Sequence, residues 1–167
     1  MYDTICDDFY FSKSELVEDN YLLAFKQLTE IILKAMSPSL NDPGTAINAI
    51  DYLTELLMLR MQKRDADFYF DDTDTQIISI NSVSFKELLN NLMCSIKTYC
   101  KHDTILMRKV IGMLDNLLQA PKIHDKAYRS TVIEELNNLK DDINSAVENK
   151  SDLDALNLKI KEIQKNA

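Results

Sequence analysis

The chain must turn at Ser37-Pro-Ser-Leu-Asn-Asp-Pro-Gly-Thr-Ala46, which holds two of its three prolines and one of its two glycines. Pro38 disfavours the helical conformation in the residue before it, so an incoming helix should end near Ser37. Asp42 followed by Pro43 predicts a new helix, with an acidic N-cap and a proline where no backbone donor is needed. We call residues 37–46 the elbow and predict that it joins two antiparallel helices.

Apolar residues recur with helical spacing on both sides of the elbow and along most of the remaining chain. Before the elbow they run through Ala24/Phe25, Leu28, Ile31/Ile32 and Ala35/Met36, and after it through Ile47, Ile50, Leu53, Leu57 and Met61. A later stripe from Phe85 is predicted to include Tyr99 on its buried face. The predicted helices begin near Asn20, Asp42, Ser84, Asp103, Lys122 and Ser151.

Residues 65–81 break the helical pattern. Phe68-Tyr69-Phe70 and Ile77-Ile78-Ser79-Ile80 flank a polar run, Asp71–Thr75, which is typical of a short β-hairpin near residues 67–80. The predicted fold is therefore all-α, a helical bundle of about six helices with this one hairpin. Residues 1–121 form a helical core with the elbow and the β-hairpin, and residues 122–167 form a C-terminal helical hairpin that packs on the core as part of a single domain.

Composition restricts the partners of this domain. The 167 residues carry 19 Lys and Arg against 27 Asp and Glu, a net charge of −8, which argues against nucleic-acid binding. No apolar run approaches the roughly 20 residues needed to span a bilayer. Three cysteines with no close pair indicate a reducing compartment, so the chain as given is predicted to be cytoplasmic.

The elbow also contains the main candidates for chemistry, with two interpretations. In the structural one, Asp42 accepts backbone N–H groups of the next helix and Asn41 adopts left-handed φ. In the functional one, exposed amides with Ser37, Asn41 and Thr45 bind a small polar ligand or anion. The structural interpretation is favoured. The candidate ligand-binding or structural residues are Ser37, Pro38, Asn41, Asp42, Pro43, Thr45 and Asp51.

Other possible metal ligands are weaker candidates. Asp51 and Glu55 share a helix face and could bind a divalent cation, but an exposed acidic face is the better explanation. Five aspartates over residues 65–74 lack the glycine of a calcium loop. Cys100-Lys-His102 with the distant His124 falls short of a zinc site. We predict no catalytic residues, no metal and no cofactor.

The elbow sequence resembles a family of predicted bacterial membrane proteins known only as a domain of unknown function, whose soluble part carries Ser-Pro-Gly-x-Asn-Asp-Pro-x-Thr-Ala between two helices. The similarity extends over about residues 15–120 and includes Glu18-Asp19, Phe25–Met36, Asp51-Tyr-Leu, Phe85–Tyr99 and Met107–Leu118. Ser39 stands where the family usually has glycine, and Gly44 where it usually has a larger residue. The resemblance implies attachment to membrane-spanning helices in relatives, which are expected in the cell membrane, and implies no reaction, cofactor or substrate.

Three functions follow as expectations. The leading one is a non-catalytic helical regulatory or assembly module, a homo-oligomer that associates through its C-terminal hairpin. The alternative is a polar-ligand or metal-binding domain, possibly enzymatic, centred on residues 37–46. A cytosolic domain attached to a channel or transporter is a third possibility, by analogy with the family.

Overall fold

The computed structural model describes residues 20–65, 68–70, 76–79, 82–121, 123 and 125–166, and within them the chain forms an all-α bundle, as predicted. The polar run at 71–75 and His124 lie outside these residues. The described part contains six helices: α1 (Tyr21–Ala35), α2 (Pro43–Arg60), α3 (Phe85–Cys100), α4 (Thr104–Leu118), α5 (Lys126–Ala146) and α6 (Lys150–Asn166).

Two short strands lie between α2 and α3. Strand β1 (Phe68–Phe70) pairs antiparallel with β2 (Gln76–Ser79), and the register shifts between Tyr69 and Phe70. The polar run on which the hairpin prediction depends, 71–75, is outside the described residues. The complete hairpin therefore stays a prediction, and the architecture is that of the helices.

Local capping signals place the starts of the middle helices correctly. Asp42 caps α2, Ser84 caps α3 by accepting from the Glu87 amide, and Asp103 caps α4 by accepting from the Leu106 amide. Each side-chain oxygen satisfies a backbone donor that has no partner inside its own helix. These three caps confirm the sequence prediction.

The start of α5 was predicted about four residues too early, and that of α6 one residue too late. Helix α5 begins at Lys126 and not near Lys122, because the Asp125 side chain caps it. Helix α6 begins at Lys150 and not at Ser151, because Asn149 Oδ1 accepts from the amides of Ser151 and Asp152 at 2.9 and 3.3 Å. In both cases another short polar side chain reaches the free amides of the first turn.

Helix α4 is the centre of the bundle. It packs against α2, α5 and α6, while α1 packs on α2 and α3, and α3 packs on α5. A helix with neighbours on several sides must be apolar around most of its circumference. The buried residues of α4 are Leu106, Met107, Val110, Ile111, Met113, Leu114, Leu117 and Leu118.

Tyr99 is not on the buried face that its spacing predicts. Its side chain is 65% exposed, whereas Cys100 beside it is buried. The buried row of α3 continues from Ile96 to Cys100, one helical turn later, and leaves Tyr99 at its edge near the end of the helix. Ile31 on α1 is likewise exposed, while Ile32 is fully buried.

The C-terminal hairpin uses its apolar stripe within its own chain. Val132, Leu136, Leu139 and Ile143 of α5 are buried in the same core as the residues of α3 and α4. Helix α6 adds Leu156, Ile160 and Ile163 to this core. The apolar stripes of the C-terminal hairpin are therefore covered by the protein's own core.

A partly buried ion pair joins the end of α2 to the chain that leads into α3. Arg60 is only 9% exposed, and its guanidinium pairs with the Asp65 carboxylate. The same group donates to the carbonyls of Val83 at 3.3 Å and Lys63 at 3.5 Å. Burial opposes the charged form of Arg60, but its partners, Asp65 first among them, raise its pKa above the ordinary value.

Asp65 and Tyr128 extend this pair to α3 and α5. Both Asp65 carboxylate oxygens accept from the Phe85 amide, at 3.1 and 3.2 Å, at the start of α3. The Tyr128 hydroxyl of α5 donates to the Lys63 carbonyl at 3.1 Å and accepts from the Asp65 amide at 2.9 Å. The Phe85 and Tyr128 rings pack with centroids 4.8 Å apart. We call Arg60, Asp65, Phe85 and Tyr128 the junction.

Removing the Tyr128 hydroxyl should destabilise the fold. In Tyr128→Phe the Lys63 carbonyl and the Asp65 amide both lose a partner in a partly buried position, at a cost of about 1–3 kcal/mol. Urea unfolding followed by circular dichroism measures this difference in the free energy of unfolding. Tyr99→Phe is the matched control and should have almost no effect; equal losses in both variants would contradict the role of the junction.

Candidate functional site

The elbow is a tight turn whose backbone groups complete α1. Asn41 has φ 44°, the left-handed conformation, which confirms the prediction for this residue. In this conformation the Asp42 amide donates to the Ala35 carbonyl at 2.8 Å. The Asn41 amide donates to the Ser37 carbonyl at 2.9 Å. Carbonyls that would be unpaired at the end of α1 are thereby satisfied.

Asp42 uses both of its carboxylate oxygens on Thr45. One oxygen accepts from the Thr45 amide at 3.1 Å, and the other accepts from the Thr45 hydroxyl at 2.6 Å. Hydrogen bonds from the Thr45 hydroxyl and then from its amide lower the pKa of Asp42, because they favour the charged carboxylate. The predicted capping by Asp42 is confirmed, and Pro43 occupies the first helical position.

The remaining elbow side chains form local contacts. The hydroxyls of Ser37 and Ser39 lie 3.1 Å apart, and Pro38, Ser39 and Leu40 are exposed. Ser37, Pro38, Asn41, Asp42 and Thr45 line neither the cleft of about 490 Å³ between α1 and α2 nor the cleft of about 400 Å³ at Asp51. The structure therefore places these candidates at the helix ends, apart from Asp51.

Asp51 lies further along α2, at a polar cleft of about 400 Å³ that the elbow does not reach. Its carboxylate forms an ion pair with Lys109 of α4, and both Asp51 and Glu55, one turn later, are exposed. The cleft is lined by Ile47, Asp51 and Thr54 of α2, Ile105, Arg108, Lys109, Gly112, Met113, Asp115 and Asn116 of α4, and Lys159 of α6. We call this the α2–α4–α6 cleft.

Three basic side chains that sequence reasoning did not single out line this cleft. Arg108 and Lys109 come from α4, and Lys159 comes from α6, fifty residues further along the chain. Such a convergence leaves no local motif, because it depends on how α6 packs on α4. Gly112 was the one available signal, since a glycine inside a helix suggests a close approach.

Cysteine and histidine side chains do not form a metal site in the described part of the chain. No group of three or more His, Cys, Asp or Glu residues is placed to hold a metal ion among those residues. Cys100 is buried, and burial followed by the nearby Asp103 charge raises the pKa of its thiol to about 11. Cys94 is exposed, and both thiols are free.

Comparison with known proteins gives a family and no characterised relative. The family described as "Predicted membrane protein (DUF2254)" matches residues 2–116, which is well over half of the chain. No curated protein and no solved structure matches the chain. Among the described residues, the helices are all too short or too polar to cross a membrane.

The left-handed φ of Asn41 predicts a clear ranking of substitutions. Asn41→Ala should lower the free energy of unfolding by about 1 kcal/mol, because a Cβ is unfavourable at this φ and alanine has no polar group to compensate. Asn41→Gly should be about as stable as the wild type, because glycine adopts positive φ freely. Urea unfolding of the three proteins measures the ranking, and equal stability of the Ala and Gly variants would contradict it.

The lowered pKa of Asp42 predicts a pH dependence with a definite sign. A carboxyl with a folded pKa below its unfolded value adds stability above that unfolded value, and this contribution is lost as the pH falls through the folded pKa. Asp42→Asn should therefore unfold at lower urea than wild type near neutral pH, and the difference should shrink as the pH falls through the folded pKa of Asp42. Asp141→Asn, at an exposed aspartate of α5, is the control and should show no such change.

Proposed function

The chain belongs to the predicted membrane protein (DUF2254) family, and from this premise we propose that it is a non-catalytic helical assembly module that self-associates through the outer surface of α1 and α2. In relatives, such a module would be attached to a membrane-spanning region. The observation that carries this proposal is a row of exposed apolar side chains on these two helices.

The row consists of Tyr21 on α1 and of Tyr52 and Leu59 on α2, and we call it the apolar row. Tyr52 and Leu59 are 62% and 58% exposed and lie seven residues apart, on one face of α2. Tyr21 and Leu59 line the same cleft between α1 and α2. Large apolar side chains grouped on one surface are typical of protein contacts, whereas single exposed ones are ordinary.

The cleft beside the apolar row is shaped for an apolar group. It has a volume of about 490 Å³, and its walls include Ala24, Phe25 and Leu56. Lys63 and Arg64 stand at its rim. An apolar depression beside exposed apolar side chains gives a second copy of this chain a surface to pack against.

A two-fold contact between two such helix pairs would form a four-helix layer. Helix pairs commonly bury apolar rows against each other in this way, and closed two-fold dimers are the most frequent homo-oligomers. The C-terminal hairpin is less suited to this contact, because its stripe is buried in its own core.

The chemistry of the elbow supports a non-catalytic role. Both oxygens of Asp42 are occupied by Thr45, so this carboxylate is engaged in capping. We also propose that the module lies in a reducing compartment such as the cytoplasm, because Cys94 and Cys100 are free thiols. The alternative of a polar-ligand site is better supported at the α2–α4–α6 cleft, where Asp51 lies among basic residues, than at residues 37–46.

Sedimentation equilibrium of the full chain, from micromolar to millimolar concentration, tests the assembly. The wild type should form a dimer, and Leu59→Glu and Tyr52→Glu should each weaken dimerisation about tenfold or more, because each buries a charge in the apolar contact. Circular dichroism should show unchanged folding, since both side chains are exposed.

Two control variants locate the contact. Tyr99→Glu changes an equally exposed aromatic on α3, and Leu158→Glu changes an exposed leucine of the C-terminal hairpin. Neither should affect the dimer. A monomer at all concentrations would contradict self-association, and a dimer weakened only by Leu158→Glu would move the contact to the C-terminal hairpin.

A further inference from the structure

We propose that the α2–α4–α6 cleft binds a phosphate monoester, with the phosphoryl group between Arg108 and Lys159 and the organic part over Ile47 and Ile105. This inference goes beyond the assembly role and does not depend on it, because the cleft and the apolar row share no residue. It rests on the shape of the cleft, on its charges and on its apolar lining.

The cleft has its floor on α4 and its walls on α2 and α6. Helix α4 packs against both of these helices and supplies most of the lining residues. Gly112 contributes no side chain, so the cleft extends down to the α4 backbone. Lys159 Nζ lies over this gap, 3.5 Å from the position that a Cβ of residue 112 would occupy. The ammonium group is therefore held over the floor of the cleft.

The charges of the cleft leave two cations available. Lys109 is paired with Asp51, and one oxygen of Asp115 accepts from Gln119 Nε2 at 2.7 Å. Within the described part of the chain, Arg108 and Lys159 have no ion-pair partner. In a protein with a net charge of −8, two unpaired cations from different helices at one cleft indicate an anionic ligand.

A phosphate monoester fits these two groups. The guanidinium fork of Arg108 can donate two parallel hydrogen bonds to phosphoryl oxygens, and the Lys159 ammonium adds a point charge from α6. The Lys109 ammonium offsets the Asp51 carboxylate, and the other carboxylate of the lining, Asp115, leaves a net charge of +1 when it is counted with Arg108 and Lys159. Asn116, also at the cleft, offers an amide for a hydroxyl of the ligand.

The size and lining of the cleft indicate an organic ligand and not inorganic phosphate alone. A volume of about 400 Å³ is within the range of small-molecule sites, and a phosphate group fills only a small part of it. Ile47 is half-buried and Ile105 is exposed, and both line the cleft with apolar surface. The same phosphoryl chemistry occurs in a soluble phosphate monoester and in the headgroup of phosphatidic acid, so the test includes both.

The experiment uses the full chain and two binding measurements. Isothermal titration calorimetry compares adenosine 5′-monophosphate with adenosine, which has the same organic part without the phosphoryl group. Co-sedimentation compares phosphatidylcholine vesicles with and without phosphatidic acid. If the natural ligand is a soluble phosphate monoester, we expect the chain to bind adenosine 5′-monophosphate and not adenosine. If the natural ligand is a lipid headgroup, we expect it to bind only the vesicles that contain phosphatidic acid.

Charge variants assign the binding to this cleft. Arg108→Gln and Lys159→Gln should each weaken binding about tenfold or more, because each removes a charge-assisted contact to phosphate. Lys161→Gln is the matched control, since it removes the same charge from an exposed position of the same helix. Gly112→Leu keeps every charge but fills the floor, and it should also abolish binding.

Circular dichroism establishes that each variant is folded before its binding is interpreted. Arg108→Gln should affect folding least, because the Arg108 side chain is exposed. Absence of binding in both measurements would overturn the proposal. An equal loss in Lys161→Gln and Lys159→Gln would also overturn it, because binding would then follow net charge. Undiminished binding to Gly112→Leu would exclude the cleft as the site.

Discussion

A buried guanidinium needs hydrogen-bond acceptors around it. At Arg60 this requirement links three helices, α2, α3 and α5. The Asp65 carboxylate and two backbone carbonyls meet the guanidinium from the chain between α2 and α3. Asp65 then holds the first amide of α3. An unpaired buried charge would cost far more than a missing apolar contact, so the end of α2 and the start of α3 must keep this arrangement. Tyr128 brings α5 to the same point.

A second buried ion pair fixes the C-terminal hairpin on the core. Lys97 Nζ of α3 lies 2.6 Å from Glu135 Oε1 of α5 and 3.3 Å from Asp142 Oδ2, seven residues further along α5. Glu135 is only 3% exposed. Burial opposes the charge on Lys97, but Glu135 and then Asp142 raise its pKa above the ordinary value. Apolar contacts alone would allow α5 to shift along α3. The ion pair fixes one register of the two helices, because any other register would leave a buried charge without its partner.

The parts of the structure that were predictable from sequence are those that depend on neighbours in the chain. The elbow follows from Pro38 and the Asp42-Pro43 pair, since capping and proline geometry act within about four residues. Asn149 and Asp125 show the limit of this reasoning, because several short polar residues near a helix start compete for the same amides. The junction was not predictable, since Arg60 must meet Val83, and Tyr128 must meet Lys63, across long stretches of chain. The basic residues of the α2–α4–α6 cleft escaped notice for the same reason.

The central position of α4 affects how the molecule can be divided. The region shared with the family ends at residue 116, inside α4, whereas the last buried residues of that helix are Leu117 and Leu118. A fragment cut at that boundary would lose α5 and α6 and leave two sides of α4 facing water. The match to the family thus ends inside a helix whose last buried residues, and whose covering helices α5 and α6, lie beyond it.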